Sequence, residues 1–541
     1  MKLDKVLDKL NSIEKISFSK ILDSIINGDS KPKKIKEINS ILNNYSDTDI
    51  KKLDSKIVAK VFDLVKMEYS DYLNKEINKS VSQLDILIDI LIRDGNSIMK
   101  REWIDKLYEQ EVKKIRKKIR EQKEVLNESD LEAVDKRDRD YLIYRNCIHT
   151  AYHNDISRNQ DPKITLDEKS ILNALATSLD LSQEEVKLLK YSVLPLKVLS
   201  IDELIDLLKN TGIVLYSKRH MTVYVPDEFV RLLRVFRNKE VADKYFKRIL
   251  KLLKDPQINL VCRKHAIDRK QDRKHKIKAI VSEGIGFRNL LKIDIYKEGV
   301  SKTDKKKTVN NLVEKGLLID HLKGTTIDSK LDNLIHYFNE IELEEKVGIS
   351  LNGYNQLLAD LSSTIPKLNR ILKDEFELQA ENVCSPNLLL DYNIKPRDVL
   401  ETLSIDQIKL FCNKRDISRR GNEMLNILNS YTDAKNIQLE NYEHIGFRNL
   451  IALKENGVSI KESEIGLKFE ELTKQIFSEL GLQVNEKLRK EVSTSKDKID
   501  VLLSIKENEV ILIECKSVRE NGYNKFKLPH GLLKNQLYFF F

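Results

Sequence analysis

One hairpin constrains the fold of this chain more than any other stretch. Ile499-Asp500-Val501-Leu502-Leu503 and Val510-Ile511-Leu512-Ile513-Glu514-Cys515-Lys516 are two strand-like runs joined by a short polar turn, in a sequence whose apolar spacing is otherwise mostly helical. Side chains alternate along a strand, so Val510, Leu512, Glu514 and Lys516 share one face and Ile511, Ile513 and Cys515 the other. A turn centred on Glu507, with Lys506 and Asn508 beside it, sets Asp500 directly across from Glu514 with both side chains pointing the same way. Two carboxylates then meet one ammonium.

The residue types carry chemistry. Two neighbouring carboxylates repel unless a cation lies between them, and oxygen-only ligands with room for water suit Mg²⁺ or Mn²⁺ rather than zinc. Such a cation neutralises charge developing on a scissile phosphate, and Lys516 is placed to orient or help deprotonate an attacking water. A surface hairpin with charges on its wet face has the same residues, because Asp and Glu in strands are usually solvated. Against it stand the apolar runs that precede the charges on both strands.

A third carboxylate comes from the preceding helix. In residues 465–481, Ile465, Phe469, Leu472, Ile476 and Leu480 form one apolar stripe, closed by Gly481 as a C-terminal cap. At about 100° per residue, Glu470 falls at the edge of that stripe beside Phe477, and Glu471 on the far side with Gln475 and Ser478. Glu470 is therefore the one expected to reach the cation.

A helix with Phe469-Glu470, then Ile499-Asp500, then Glu514-Cys515-Lys516 resembles the PD-(D/E)xK nuclease superfamily, most of all its restriction-endonuclease and Holliday-junction-resolvase branches, over residues 461–541. The resemblance implies a restriction-endonuclease-like α/β domain with Glu470, Asp500, Glu514 and Lys516 as its catalytic set. Asp500, Glu514 and Glu470 would hold Mg²⁺, with Mn²⁺ as a substitute, and Lys516 would serve the water. Gln536 stands where some members place a glutamine on the helix after the hairpin. The family core runs helix, three strands, helix, strand, whereas this sequence stops at Leu537-Tyr538-Phe539-Phe540-Phe541, just inside the second helix. The domain is therefore expected to be truncated, without its last strand, unless another subunit completes it.

The 541 residues leave room for three or four domains, and 41% hydrophobic content supports packed cores. Seventeen Gly and nine Pro are too few for long flexible linkers. The expected fold class is multidomain and mainly α: a helical region at 1–160, a helical domain with a winged-helix-like hairpin at 161–250, a first basic repeat at 251–345, a helical linker with a second repeat at 346–460, and the nuclease-like domain at 461–541. Cys147, Cys262, Cys384, Cys412 and Cys515 form no paired spacing, which suggests reduced thiols. With no apolar signal core at Met1-Lys2-Leu3-Asp4-Lys5 and no membrane-length apolar run, the expected location is cytoplasmic.

The net charge of +10 matters because it is clustered. Lys113 to Arg120, Arg269 to Lys278 and Lys305-Lys306-Lys307 are the dense stretches, and the second has few acids to offset it. That stretch lies in an internal repeat. Asp255 to Arg269 parallels Asp406 to Arg419, each copy leading to the hexapeptide Ile-Gly-Phe-Arg-Asn-Leu, at 285–290 and 445–450. Each copy reads as helix, basic bend, helix, with Cys262 and Cys412 as matching core positions. The second copy, through Ser404-Ile405-Asp406 to Arg420-Gly421-Asn422, is similar to SAP-like DNA-binding modules, although Asn422 replaces their usual Lys. Arg269, Lys270, Arg273, Lys274, Arg419 and Arg420 are the expected DNA contacts. Arg288 and Arg448, matched between copies, suit phosphate, or at least equally a helix cap or a bridge between the repeats.

Residues 212–226 read as two short strands around a basic tip, similar to the wing of a winged helix, which either lies on DNA or serves packing. Residues 165–208 resemble TerB-like helical domains, opened by Thr165 and Ser182 caps. Cys147, His149 and His153 have a spacing that zinc sites use, but no second ligand group follows. The leading expectation is a Mg²⁺-dependent DNA endonuclease of restriction-modification or antiviral-defence type, with duplex DNA and a possible homo-oligomer or completing subunit as partners. The alternatives are a nucleic-acid-binding or sensor subunit with an inactive nuclease fold, and cleavage of RNA. No Gly-x₄-Gly-Lys-Ser/Thr motif is present, so an ATP-driven motor would be a separate protein.

Overall fold

The computed structural model describes residues 1–28, 37–38, 40–41, 53–78, 82–128, 136–158, 164–179, 181, 183–193, 199–265, 267–317, 324–343, 349–456, 458, 460–493, 499–506, 509–518 and 539–540. The chain is mainly helical, as its apolar spacing predicts, and forms two compact units: Met1–Asn339 with Phe376–Glu381, and Glu340–Glu375 with Asn382–Phe541.

In the first unit one hydrophobic core runs from Leu3 to Leu233, so residues on both sides of position 160 fill a common interior. At its centre Phe18, Phe62, Tyr69 and Phe229 pack edge-on or tilted, with Tyr69 and Phe229 stacked at 5.4 Å. Strands β1 (Ile98–Lys100), β2 (Leu215–Ser217) and β3 (Thr222–Tyr224) form an antiparallel sheet with β3 in the middle. The wing-like hairpin is thus built into a sheet whose strands are largely buried, which favours its packing role. Lys218, Arg219 and His220 at its tip are exposed. Thr165 and Ser200 open their helices with capping boxes, while Ser182 lies outside the described residues.

The internal repeat is reproduced at atomic detail. Helices Asp255–Lys264 and Arg273–Ser282 make the first copy, and Ile405–Lys414 and Glu423–Ser430 the second. Each first helix ends the same way: the Ile267 amide donates to the Cys262 carbonyl (2.8 Å) and the Ile417 amide to that of Cys412 (2.9 Å). Asp272 and Asn422, at matching positions, cap the second helices through their side chains. Cys262 and Cys412 are fully buried, as expected of core positions.

In the second unit a four-stranded sheet runs β4 (Gln483–Val484), β5 (Val501–Lys506), β6 (Glu509–Glu514), β7 (Phe539–Phe540). The first three are antiparallel neighbours, and β7 lies parallel to β6 with Ile513 beside Phe539 and Glu514 beside Phe540. The phenylalanine run, read from sequence as the start of a helix, holds this short strand Phe539–Phe540 instead. Gln536 lies outside the described residues.

Candidate functional site

The strands position Asp500 and Glu514 as their alternation predicts. Val501 pairs with Ile513, Leu502 with Leu512 and Leu503 with Ile511, which puts Asp500 in line with Glu514 one residue beyond the last pair. The register shifts near the turn, between Ser504 and Lys506, a bulge that leaves the charged end unaffected. Val501, Leu503 and Ile513 form a small core with Phe477 and Ile511, so the apolar face turns toward the preceding helix.

That helix, Ile465–Glu479, ends as its glycine demands. Gly481 has φ +82°, and the Leu482 amide donates to the Phe477 carbonyl at 2.9 Å, closing the last turn. Ile465, Phe469 and Leu472 are buried, but Leu480, expected in the stripe, is exposed. Glu470 is half-buried, whereas Glu471 is exposed and pairs with Lys468. The choice of Glu470 over Glu471 is thereby supported by position.

Six charged side chains gather here. The Cys515 amide donates to Asp500 Oδ2 at 2.7 Å. Lys516 Nζ meets Glu514 Oε1 at 2.5 Å, and Lys474 Nζ meets Glu470 Oε1 at 2.6 Å and Glu486 Oε1 at 3.1 Å. Burial raises the pKa of Asp500 above the ordinary carboxylate value; the Cys515 amide opposes this, Glu470 and Glu514 add to it, and Lys516 offsets part. The hydrogen bond to Glu514 raises the pKa of Lys516. For Lys474, burial lowers the value, and the bonds to Glu470 and Glu486 more than reverse it. Burial, aided by Asp500 and Glu470, pushes the Cys515 thiol up to about 11 against a hydrogen bond with Thr473. Lys474 was not among the residues singled out from sequence, although its i,i+4 spacing from Glu470 is legible there.

The three carboxylates suit a hard divalent cation in donor type. Among the described residues, however, no three His, Cys, Asp or Glu side chains are close enough together to enclose a metal as they stand. His149 and His153 stack on each other at 6.2 Å on an exposed helix face, and His265 meets Asp294 at 3.0 Å.

The basic bends separate into free and committed residues. Arg269, Lys270 and Lys274 are exposed and make no side-chain ion pair among the described residues. Arg273 is committed: it pairs with Asp255 and donates to the carbonyls of Leu253 (2.5 Å) and Lys251 (3.2 Å), capping the end of the helix Asp243–Leu252 that comes before the repeat. In the second copy Arg420 is exposed, while Arg419 binds Glu423 at 3.0 Å. Lys113, Lys114, Lys117 and Lys118 each have an acidic partner, which makes that helix face a balanced one. Arg288 binds Glu240 (3.0 Å) and Asp332 (2.6 Å), and Arg448 donates to Ser517 at 3.0 Å, so both matched arginines are held by neighbouring side chains.

Compared with known proteins, the chain matches no family model, no curated protein and no solved structure. Among the described residues no helix is long and apolar enough to cross a membrane.

Proposed function

We propose that this chain is a divalent-metal-dependent DNA endonuclease, with its chemistry at Glu470, Asp500, Glu514 and Lys516 and its DNA contacts at the basic bends. One observation carries the reading: Asp500 and Glu514 stand in register at the end of paired strands, and Glu470 from the preceding helix adds its charge to theirs around Asp500. Asp500, Glu514 and Glu470 would hold Mg²⁺ or Mn²⁺, which when bound supplies charge neutralisation at the scissile phosphate. Lys516, exposed and beside Glu514, would orient the attacking water. Arg269, Lys270, Lys274 and Arg420 neutralise backbone phosphates without reading bases.

A second reading, a nucleic-acid-binding or sensor subunit with an inactive site, is favoured by one fact. Glu514 and Glu470 already have internal counter-ions in Lys516 and Lys474. Incubation of duplex DNA, single-stranded DNA and RNA with the full chain in Mg²⁺, Mn²⁺ or EDTA separates the readings. The expected result is metal-dependent cleavage of DNA that is lost in Asp500→Ala and Glu514→Ala and falls about 10²-fold or more in Lys516→Ala, with DNA binding retained. Cleavage undiminished in EDTA sinks the proposal, and metal binding without cleavage of any substrate supports the second reading.

A further inference from the structure

The hexapeptide Ile-Gly-Phe-Arg-Asn-Leu occurs twice and folds in two ways. In the first copy Gly286 precedes a short helix, Phe287–Asn289, and Arg288 is helical. In the second, Ile445 and Gly446 end the helix Tyr442–Gly446, and Arg448 takes φ +51°, the left-handed region that non-glycine residues avoid. The same Phe-Arg-Asn triplet therefore forms a helical turn elsewhere in this chain. The Asn449 amide closes this left-handed turn on the His444 carbonyl at 2.9 Å, and the turn sets which surroundings the Arg448 side chain meets.

Those surroundings are the candidate site. Arg448 Nε donates to Ser517 Oγ at 3.0 Å, and the Val518 amide donates to the Gly446 carbonyl at 2.9 Å. Ser517 and Val518 directly follow Lys516 at the exit of β6. The other side of the clamp is the helix that carries Glu470. A Cβ placed on Gly466, in its first turn, would lie 3.8 Å from both Arg448 Nη2 and Ser517 Oγ. Tyr442 stacks on Phe469 at 4.7 Å, one residue before Glu470, and its hydroxyl meets Thr473 Oγ1 at 2.6 Å. Residues 442–448 thus hold the Glu470 helix on one side and the Lys516 strand exit on the other.

We infer that Arg448 is a positioning residue: through Ser517 it fixes the strand exit carrying Glu514 and Lys516 relative to the helix carrying Glu470. Its catalytic consequence rests on the nuclease reading. Misplacement of a catalytic group by about 1 Å costs roughly 10²-fold in rate, so the clamp acts on turnover rather than on DNA affinity.

The test uses the full chain with Arg448→Gly, Arg448→Lys and Ser517→Ala. Glycine accepts φ +51° without strain, so the first variant removes the guanidinium and leaves the turn. Expected are a kcat lowered about 10- to 100-fold in Arg448→Gly and Ser517→Ala with little change in KM for DNA, substantial rescue in Arg448→Lys, and no further loss in the double variant. Amide hydrogen exchange at Val518 should rise in the first two variants. Full turnover in Arg448→Gly, or a change confined to KM, overturns the inference. If the unmodified chain cleaves nothing, the nuclease reading fails by itself and exchange judges the clamp: faster Val518 exchange upholds it, and unchanged exchange overturns it.

Discussion

The carboxylate of Asp500 accepts the backbone amide of Cys515 across the hairpin, Oδ2 to N, at 2.7 Å. That bond ties the first carboxylate to the residue between Glu514 and Lys516. Its other oxygen makes no hydrogen bond among the described residues.

Because burial and the neighbouring carboxylates raise the pKa of Asp500, ionising it costs the fold stability. The sign follows: a group whose folded value is raised contributes stability below its unfolded pKa, about 3.9, and loses it as pH rises through the folded value. A divalent cation restores what is lost. Mn²⁺ should therefore raise the unfolding temperature at neutral pH, and the effect should fade as pH falls through the raised value of Asp500. At a hundredfold excess over Kd such binding adds about 2.7 kcal/mol. Asp500→Asn should be more stable than the unmodified chain without metal at neutral pH and should not respond to Mn²⁺. Calorimetric melts across that pH range check both signs, and a Mn²⁺ response that survives Asp500→Asn places the cation elsewhere.

In the proposed site Lys474, paired with Glu470, would compete with a bound cation for that carboxylate. Replacing it with glutamine keeps a hydrogen-bond donor and removes the charge, so Mn²⁺ affinity should rise by up to about tenfold, roughly 1.4 kcal/mol. Glu470→Gln should lower affinity instead. Titration calorimetry gives both values, and a weaker Mn²⁺ site in Lys474→Gln contradicts the competition.

At the basic bends, geometry divides residues that sequence groups together. Neutralising Arg269, Lys270 and Lys274 should weaken DNA binding and lower the slope of log affinity against log salt by about one unit for each phosphate that is no longer neutralised. Arg273→Gln should leave that slope nearly unchanged and cost about 1 kcal/mol of stability, because its guanidinium is spent on Asp255 and two helix-end carbonyls. Arg420→Gln should have a larger effect on DNA than Arg419→Gln, whose arginine is held by Glu423. Binding isotherms at several salt concentrations and urea melts measure the two effects separately.

These contrasts show what sequence carries. Hairpin register, the Gly481 cap and the burial of Cys262 and Cys412 are legible in the sequence, because each follows from period-2 alternation, helical spacing or one φ requirement. Arg273 and Arg269 look alike in a basic run; only the position of the preceding helix end separates them. The two hexapeptides are identical in sequence, yet Phe287 is 3% exposed and Phe447 44%, a difference set by what packs beside each. The short strand at Phe539–Phe540 was missed because its pairing with β6 is non-local.

Gly446 offers a stability test of the clamp independent of any activity. A Cβ there would lie 2.9 Å from Cε2 of Phe469, inside van der Waals contact. Phe469 cannot yield easily, since it is buried in the core made by Ile445, Leu453 and Leu472 and stacks on Tyr442. Gly446→Ala should therefore destabilise the chain by about 1–3 kcal/mol through overpacking, despite alanine's better helix propensity. Adding Phe469→Leu makes room for the methyl, so the double variant should be more stable than the sum of the two single effects predicts. Urea denaturation of the four proteins closes the cycle. Strict additivity would mean that Gly446 and Phe469 do not press on each other, and that the helix bearing Glu470 is held by other contacts.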